Sequence, residues 1–322
     1  MFSKKHRNSF LVGGTCVALL ALPLEFTEAT GAPALGAQTA YTTPEDGFRA
    51  LVLAVKNSDL TALRAMLGPD SDALLSSGDP VDDKDARERF VAAYNSEARI
   101  ARPRSNSATL SIGADRWEFP IPMEKTADGW RFDTDRGRDE LLNRRIGRNE
   151  LNVIQACLAF VDAERDYAST DHNGDAVLQY ADRFISSPNK QDGLYWPQIQ
   201  GKAQSPLGEF FAKASAAGYQ LASAPENHVD EGDVLYGYRY QILAGQGPAA
   251  RGGAYDYIIN QKMIGGFGMV AYPANYGVSG VMTFIVNHDG QVYQKDLGPD
   301  TATLAPAIQR FNPDKTWKRT GS

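Results

Sequence analysis

Hydrophobic periodicity changes three times along this chain, and the order of those changes restricts its fold more than any other feature. From Pro44 the apolar positions Phe48, Leu51, Val52 and Val55 follow the i, i+3, i+4, i+7 spacing of one helical face, which predicts a helix over 44–56. Asp59 can cap a second helix that carries Leu60, Leu63, Met66 and Leu67 and stops at Gly68-Pro69. After the turn-rich stretch 76–80, a third helix over about 83–97 is expected to bury Ala86, Phe90 and Tyr94. The repeat then drops to two residues. Segments 109–112 and 117–121 alternate as strands do, and 129–133 closes the set. Three helices followed by antiparallel strands describe a small α+β domain over 41–134.

The pattern then starts again. Residues 135–148 hold five arginines and three carboxylates and read as a charged connector, a solvated helix face with mixed-sign pairs. A long helix is expected from about Asn149 to Ser169, with Ile154, Cys157, Leu158 and Val161 on its inner side. The stretch 170–204 is polar and punctuated by Gly and Pro, yet it holds Leu194-Tyr195-Trp196, so it reads as an ordered loop packed on a core. Ser205-Pro206 then opens a short helix with Leu207, Phe210, Phe211 and Ala214 inside and Gly218 at its end. The remainder is β-rich: Tyr236, Tyr238, Tyr240 and Ile242 alternate, 267–272 and 281–286 read as buried strands, and 287–290 turns the last one back into Val292-Tyr293. A second α+β domain over 138–317 follows. The expected class is therefore α+β, two small domains, each with helices packed on an antiparallel sheet.

The amino end gives the chain an address. Met1 to Arg7 is cationic and 10–22 is an apolar run of 13 residues that stops at Pro23. A membrane-spanning helix needs about 20, so residues 1–36 read as a signal peptide, with cleavage after Ala34 or Gly36. Glu25 and Glu28 leave an uncleaved anchor as the alternative. Lipid attachment at Cys16 is disfavoured, because Thr15 and Gly13 stand where a small residue and a leucine are wanted. The whole chain has 33 basic and 39 acidic side chains, net −6. Losing the three basic and two acidic residues of 1–36 leaves net −7, which offers no general attraction to nucleic acid or anionic lipid. The mature chain has no apolar run long enough for a membrane span. Only Cys157 would survive cleavage, which excludes an intrachain disulfide in a periplasmic or secreted protein.

Five segments carry a family resemblance: 129–133 (GWRFD), 144–151 (RRIGRNEL), 190–197 (KQDGLYWP), 252–257 (GGAYDY) and 284–290 (FIVNHDG). Through them the chain from about Pro44 to Trp317 resembles an uncharacterised bacterial exported family, domain of unknown function 2950. The resemblance implies export and carries over no activity or catalytic residue. Two further likenesses concern shape: 41–134 looks like the cone-shaped NTF2-like fold. The second half, with Ala163 to Ala168 on its helix and its late strands, resembles the headgroup of type IV pilins and pseudopilins, without the apolar helix that builds a filament.

Chemistry is sparse. His172, His228 and His288 lie far apart and none has a metal-ligand partner one helical turn away. Asp171, Asn173 and Asp175 stand at positions 1, 3 and 5 of a calcium-loop opening, but Gly174 and Asp182 fall where such a loop needs other residues, so a tight turn is the reading and no metal is expected. Ser187-Pro188-Asn189-Lys190 fits a Ser-x-x-Lys acyltransferase string without its partner motifs or its helix. The string 266–271 satisfies a dinucleotide-binding pattern but reads as a strand with Pro273 behind it, so no cofactor is expected. Cys157 falls on the buried helical stripe.

What remains is aromatic: Tyr195 and Trp196 beside Asp192, and Tyr236, Tyr238 and Tyr240 on one strand face. These six are the binding candidates, although a helix laid over the tyrosine face would make it core with polar tips. The catalytic residues are unknown, and the balance is against an enzyme. The reading that results is an exported envelope protein acting as a binding or assembly-accessory module on an envelope protein partner. Its alternatives are a hydrolase of an envelope polymer using carboxylates such as Asp192 and Asp256, and a small-ligand binder using the N-terminal cone.

Overall fold

Local capping explains why the first helices form where they do. In the computed structural model, which describes residues 38–198, 203–216, 218–219 and 234–321, helix α1 spans Pro44–Lys56. Thr43 accepts from the Asp46 amide, Pro44 occupies the first turn, and Glu45 and Asp46 stand at the positive end of the helix dipole. Phe48, Leu51, Val52 and Ala54 turn inward. Helix α2, Leu60–Leu67, starts at the Asp59 carboxylate and ends at Gly68, whose φ of 92° ordinary side chains avoid. A single turn of 3-10 helix leads into α3, Asp72–Leu75. Helix α4 spans Pro80–Ser96, three residues earlier than expected at its start, because Asp79 caps the Val81 and Asp82 amides and Pro80 is preset for the first turn. Ala86, Phe90 and Tyr94 are half-buried on it.

Strands β1 (Ala98–Arg104), β2 (Ser107–Ile112), β3 (Trp117–Glu118), β4 (Met123–Thr126) and β5 (Gly129–Phe132) build an antiparallel sheet in the order β1-β2-β4-β5, with β3 also on β2. β1 reads ARIARPR and is almost wholly exposed, an edge strand guarded by charge. α1 and α2 lie on this sheet, and Phe48, Leu110, Ile112, Ile121, Met123 and Phe132 fill the space between them. Gly47 lets the helix sit close to the sheet: a Cβ there would come within 2.3 Å of the Met123 terminal methyl, and that side chain would have to shift.

Helix α5 is one continuous element of 34 residues, Thr134–Tyr167. The connector 135–148, expected as a solvated helix face, is thus continuous with the helix expected from Asn149. Its arginines are used rather than merely solvated: Arg145 donates to the carbonyls of Ala73 and Leu74, 2.7 Å each, and Arg148 pairs with Asp82 at 2.9 Å. The inner stripe of the second half is Val153, Ala156, Cys157, Phe160, Val161, Ala163, Glu164 and Tyr167, and Leu158, expected inside, is exposed.

Helix α6, Gly208–Ala216, follows a turn at Ser205 rather than starting there. Strands β6 (Tyr238–Ile242), β7 (Gly245–Gln246), β8 (Tyr255–Asp256), β9 (Ile258–Ile259), β10 (Lys262–Met263), β11 (Gly268–Pro273), β12 (Met282–Asn287) and β13 (Tyr293–Asp296) precede α7 (Thr301–Leu304), β14 (Arg310–Phe311) and β15 (Lys318–Arg319). The main sheet runs β15-β13-β12-β11-β6, antiparallel throughout. α5 covers one face, where Met269, Ala271, Phe284 and Val286 join Phe160 and Tyr167. Val270 and Ile285 point the other way, into a second cluster with Leu243 and Phe311 beneath the small sheet β14-β7-β8. Burial on both faces is why 268–273 and 282–287 are apolar without alternation.

The class is α+β. The described residues belong to one compact unit, in which an N-terminal and a C-terminal cluster form the two largest apolar cores. The segment 1–36, expected to be a signal peptide, with Cys16, and His228, lie outside the described residues. No helix among the described residues is long and apolar enough to cross a membrane.

Candidate functional site

The sequence candidates Asp192, Tyr195 and Trp196 belong to a chain segment that doubles back against the C-terminal end of α5. Residues 183–186 and 193–195 pair through their backbones: Leu194 and Tyr195 donate to Arg183 and Phe184, and Ser186 donates to Tyr195. Gly193 makes the pairing feasible, since a Cβ there would lie 2.9 Å from the Ile185 carbonyl carbon. Leu194 and Trp196 are buried in the C-terminal core beside Phe160 and Tyr167, and the Trp196 indole donates to the Ala203 carbonyl at 3.3 Å. The Tyr195 ring stacks on Phe211 of α6, centroids 4.2 Å apart. The aromatic pair therefore anchors the segment, and the polar residues form its outer face.

That outer face is a closed set of contacts. The two Asp192 oxygens accept from the Ser187 amide at 2.7 Å and the Ser187 hydroxyl at 2.8 Å. Arg183 donates to the same hydroxyl at 3.0 Å, lies 3.8 Å from Asp192, and pairs with Asp182 at 3.0 Å. Beneath them the Tyr167 hydroxyl donates to the Gln191 carbonyl, and the His172 ring stacks on Tyr167 at 4.2 Å and lies 5.5 Å from Trp196. Burial pushes the His172 imidazole below its ordinary range and the Tyr167 phenol well above its own, so both are neutral at neutral pH. Under the turn, Glu164 is fully buried. One of its oxygens accepts from the Ala181 amide at 2.9 Å, the other has no partner, and burial raises its pKa well above the ordinary value.

Chemically this is a fixed mosaic of donors and acceptors. Ser187 is not poised as a nucleophile, because its hydroxyl is engaged by a carboxylate and a guanidinium at once and its Lys190 sits in the same tight turn. Arg183, Tyr167, His172 and Glu164 escape a reading of local sequence, because α5 and the turn meet only in the fold.

The other candidates lie elsewhere. Tyr238 is fully buried against Phe284, with its hydroxyl donating to the Met282 carbonyl. Tyr240 is half-buried and donates to Leu235. Tyr236 precedes β6 with a φ of 55° and packs on Tyr219 and Phe210. The three thus form no flat exposed face: Tyr238 and Tyr240 alternate onto the core side as the covered reading has it, and Tyr236 falls before the strand. Asp171 makes a turn, accepting from the amides of Asn173, Gly174 and Ala176, which hold its carboxyl below the usual range. Asn173 accepts from the Asp175 amide, and Asp175 pairs with Lys262 at 2.5 Å. Among the described residues no group of three or more His, Cys, Asp or Glu is arranged to hold a metal ion. Asp256 pairs with Arg310. The Cys157 thiol is buried and pushed up to about 12 by burial, so it is unreactive at neutral pH.

A family model described as "Protein of unknown function (DUF2950)" matches residues 38–320. No curated protein and no solved structure matches the chain.

Proposed function

The chain belongs to the DUF2950 family, and from that premise we propose that it is an exported, non-catalytic module that binds an envelope protein through the polar face of residues 182–192. The observation that carries this reading is the Arg183–Ser187–Asp192 set. It is partly exposed, fixed by paired contacts and anchored from below by buried aromatics, which is the build of a preorganised recognition surface. Export to the periplasm or beyond is supported by the cationic start and the apolar run 10–22. A division into domains at 41–134 and 138–317 is supported by the two large apolar clusters. A pilin-headgroup likeness of the second is supported by α5 lying across a strand meander. The small-ligand reading gains nothing from the first sheet, whose inner face is filled by side chains.

A photo-crosslinking residue in place of the exposed Lys190, in the native cell, tests the proposal. The expected result is one defined envelope protein, lost when Asp192→Ala and Arg183→Ala are combined. Capture of none, or capture unchanged by the double substitution, overturns it. Cleavage of isolated cell-wall polymer by the purified protein, abolished by Asp192→Asn, would establish the hydrolase instead.

A further inference from the structure

Two open strand edges of this molecule are treated in opposite ways. The outer edge of β1 is guarded, with Arg99, Arg102 and Arg104 along it and Pro103 beside a register shift. The outer edge of β9 is not. β9 pairs with β10 alone, Ile259 opposite Lys262 and Ile258 opposite Met263, and no further strand lies beside it among the described residues. Asn260 and Gln261, both at positive φ, make the two-residue turn between the strands. Such a turn is closed by backbone bonds exchanged between its flanking residues, Ile259 and Lys262. Ile258, one residue back, therefore directs its N–H and C=O away from β10, to the open side. The far edge of the hairpin is covered instead: the Met263 carbonyl accepts from the Tyr180 amide at 2.8 Å, and Lys262 pairs with Asp175 at 2.5 Å. Those two contacts hold the segment between Asp175 and Tyr180, with Leu178 in it, beside the hairpin.

Around the open edge the surface is aliphatic and neutral. Ile258 is 42% exposed, Ile259 44%, Ile264 41% and Leu178 58%, so half of the eight large apolar side chains exposed among the described residues gather on this hairpin and its neighbouring segment. Consecutive strand residues point to opposite faces, so β9 presents an exposed isoleucine on each. Lys262 is the sole charged side chain between Tyr257 and Gly265, and Asp175 neutralises it. A lipid surface is a poor match: the turn is polar, the hairpin's one cation is already paired, and the hairpin lacks the tryptophan and basic residues of an interfacial anchor.

We infer that β9 is the contact between two copies of this chain, paired antiparallel about a two-fold axis at Ile258. On such an axis each residue meets its own copy, so a charged patch repels itself and a neutral one does not. Ile258 and the Ile258 of the second copy exchange N–H···O=C bonds and lie side by side on one face. On the other face Ile259 lies diagonal to its own copy, within reach of an aliphatic side chain. A contact of two strand residues and a few aliphatic side chains is smaller than the roughly 800 Å² per partner of a standard interface, so the dimer is weak and depends on concentration. It does not involve the 182–192 face.

Disulfide trapping in the whole chain carrying Cys16→Ser tests the register, since the Cys157 thiol is buried. Adding Ile258→Cys sets two thiols on strands whose Cα atoms are about 5.5 Å apart, within disulfide reach. Mild oxidation should give covalent dimer in about tenfold greater yield than with Leu53→Cys, at a more exposed position on α1. Sedimentation across a concentration series gives the second reading. The protein without added cysteine should dimerise reversibly, and Ile259→Lys, at a half-exposed side chain, should weaken that dimer about tenfold or more. A trapping yield at 258 no greater than at 53, a monomer at all concentrations up to about 1 mM, or a dimer indifferent to Ile259→Lys would each overturn the proposal. So would flotation with phosphatidylcholine vesicles, lost in Ile259→Lys, of a protein that stays monomeric, which would give the patch to lipid.

Discussion

Two buried carboxyl groups, one at the junction of the apolar cores and one under the C-terminal end of α5, face the same problem and meet it differently. Asp79, 1% exposed, accepts four hydrogen bonds: the Val81 and Asp82 amides on one oxygen, the Tyr219 hydroxyl at 2.7 Å and the Gly237 amide at 2.9 Å on the other. Glu164, fully buried, accepts one and leaves its second oxygen bare. Burial raises both pKa values. A saturated carboxylate of this kind is a joint between elements. An unsaturated one is a group the fold tolerates by keeping it protonated.

The sharpest way to break the comparison is Asp79→Ala, which leaves a buried hydroxyl and a buried amide without acceptors. It should cost about 4 kcal/mol in urea denaturation, and a cost below about 1 kcal/mol would remove Asp79 as the joint. Asp79→Asn should rescue little, because its NH2 must face two donors. Next comes Arg145→Met, which keeps the stem and removes two charged bonds to the carbonyls of Ala73 and Leu74. A loss of about 2 kcal/mol is expected by the same measurement.

Asp192→Asn is expected to cost about 1 kcal/mol, since it weakens two bonds at a partly exposed site. Glu164→Gln is smaller at fixed pH and is read best across pH. With its folded pKa raised, Glu164 favours folding fully below its ordinary value of 4.5 and loses that contribution as pH rises through the raised value. Wild-type stability should therefore fall with rising pH above 4.5 relative to Glu164→Gln, and parallel pH profiles for the two proteins would show that Glu164 does not titrate as described.

What the sequence makes legible follows from whether the signal is local. α1 and α2 are read to the residue because their caps, Thr43 and Asp59, and the Gly68 stop are adjacent to the periodic stretches they bound. β1 escapes because an edge strand stabilised by backbone pairing needs no apolar alternation, and here it has almost none. The first half of α5 is read as a helical connector, and its continuity with the helix from Asn149 is missed because Gly137, Gly147 and five arginines interrupt the apolar stripe. Its helical partners, the carbonyls of Ala73 and Leu74 and the Asp82 carboxylate, lie over 60 residues away. The site divides in the same way. Asp192, Tyr195 and Trp196 are contiguous and stand out. Glu164, Tyr167 and Arg183 join them only through tertiary contact.

The Asp79 joint also ties the early part of the chain to the late part. Its two distant donors, Tyr219 and Gly237, follow it by 140 and 158 residues. In a chain delivered from its amino end, that carboxylate is half-satisfied until the second half arrives. Until then one Asp79 oxygen caps the start of α4 and the other is solvated. A chain truncated anywhere before Gly237 is therefore expected to lose a buried donor to Asp79 and to be less stable than the whole chain.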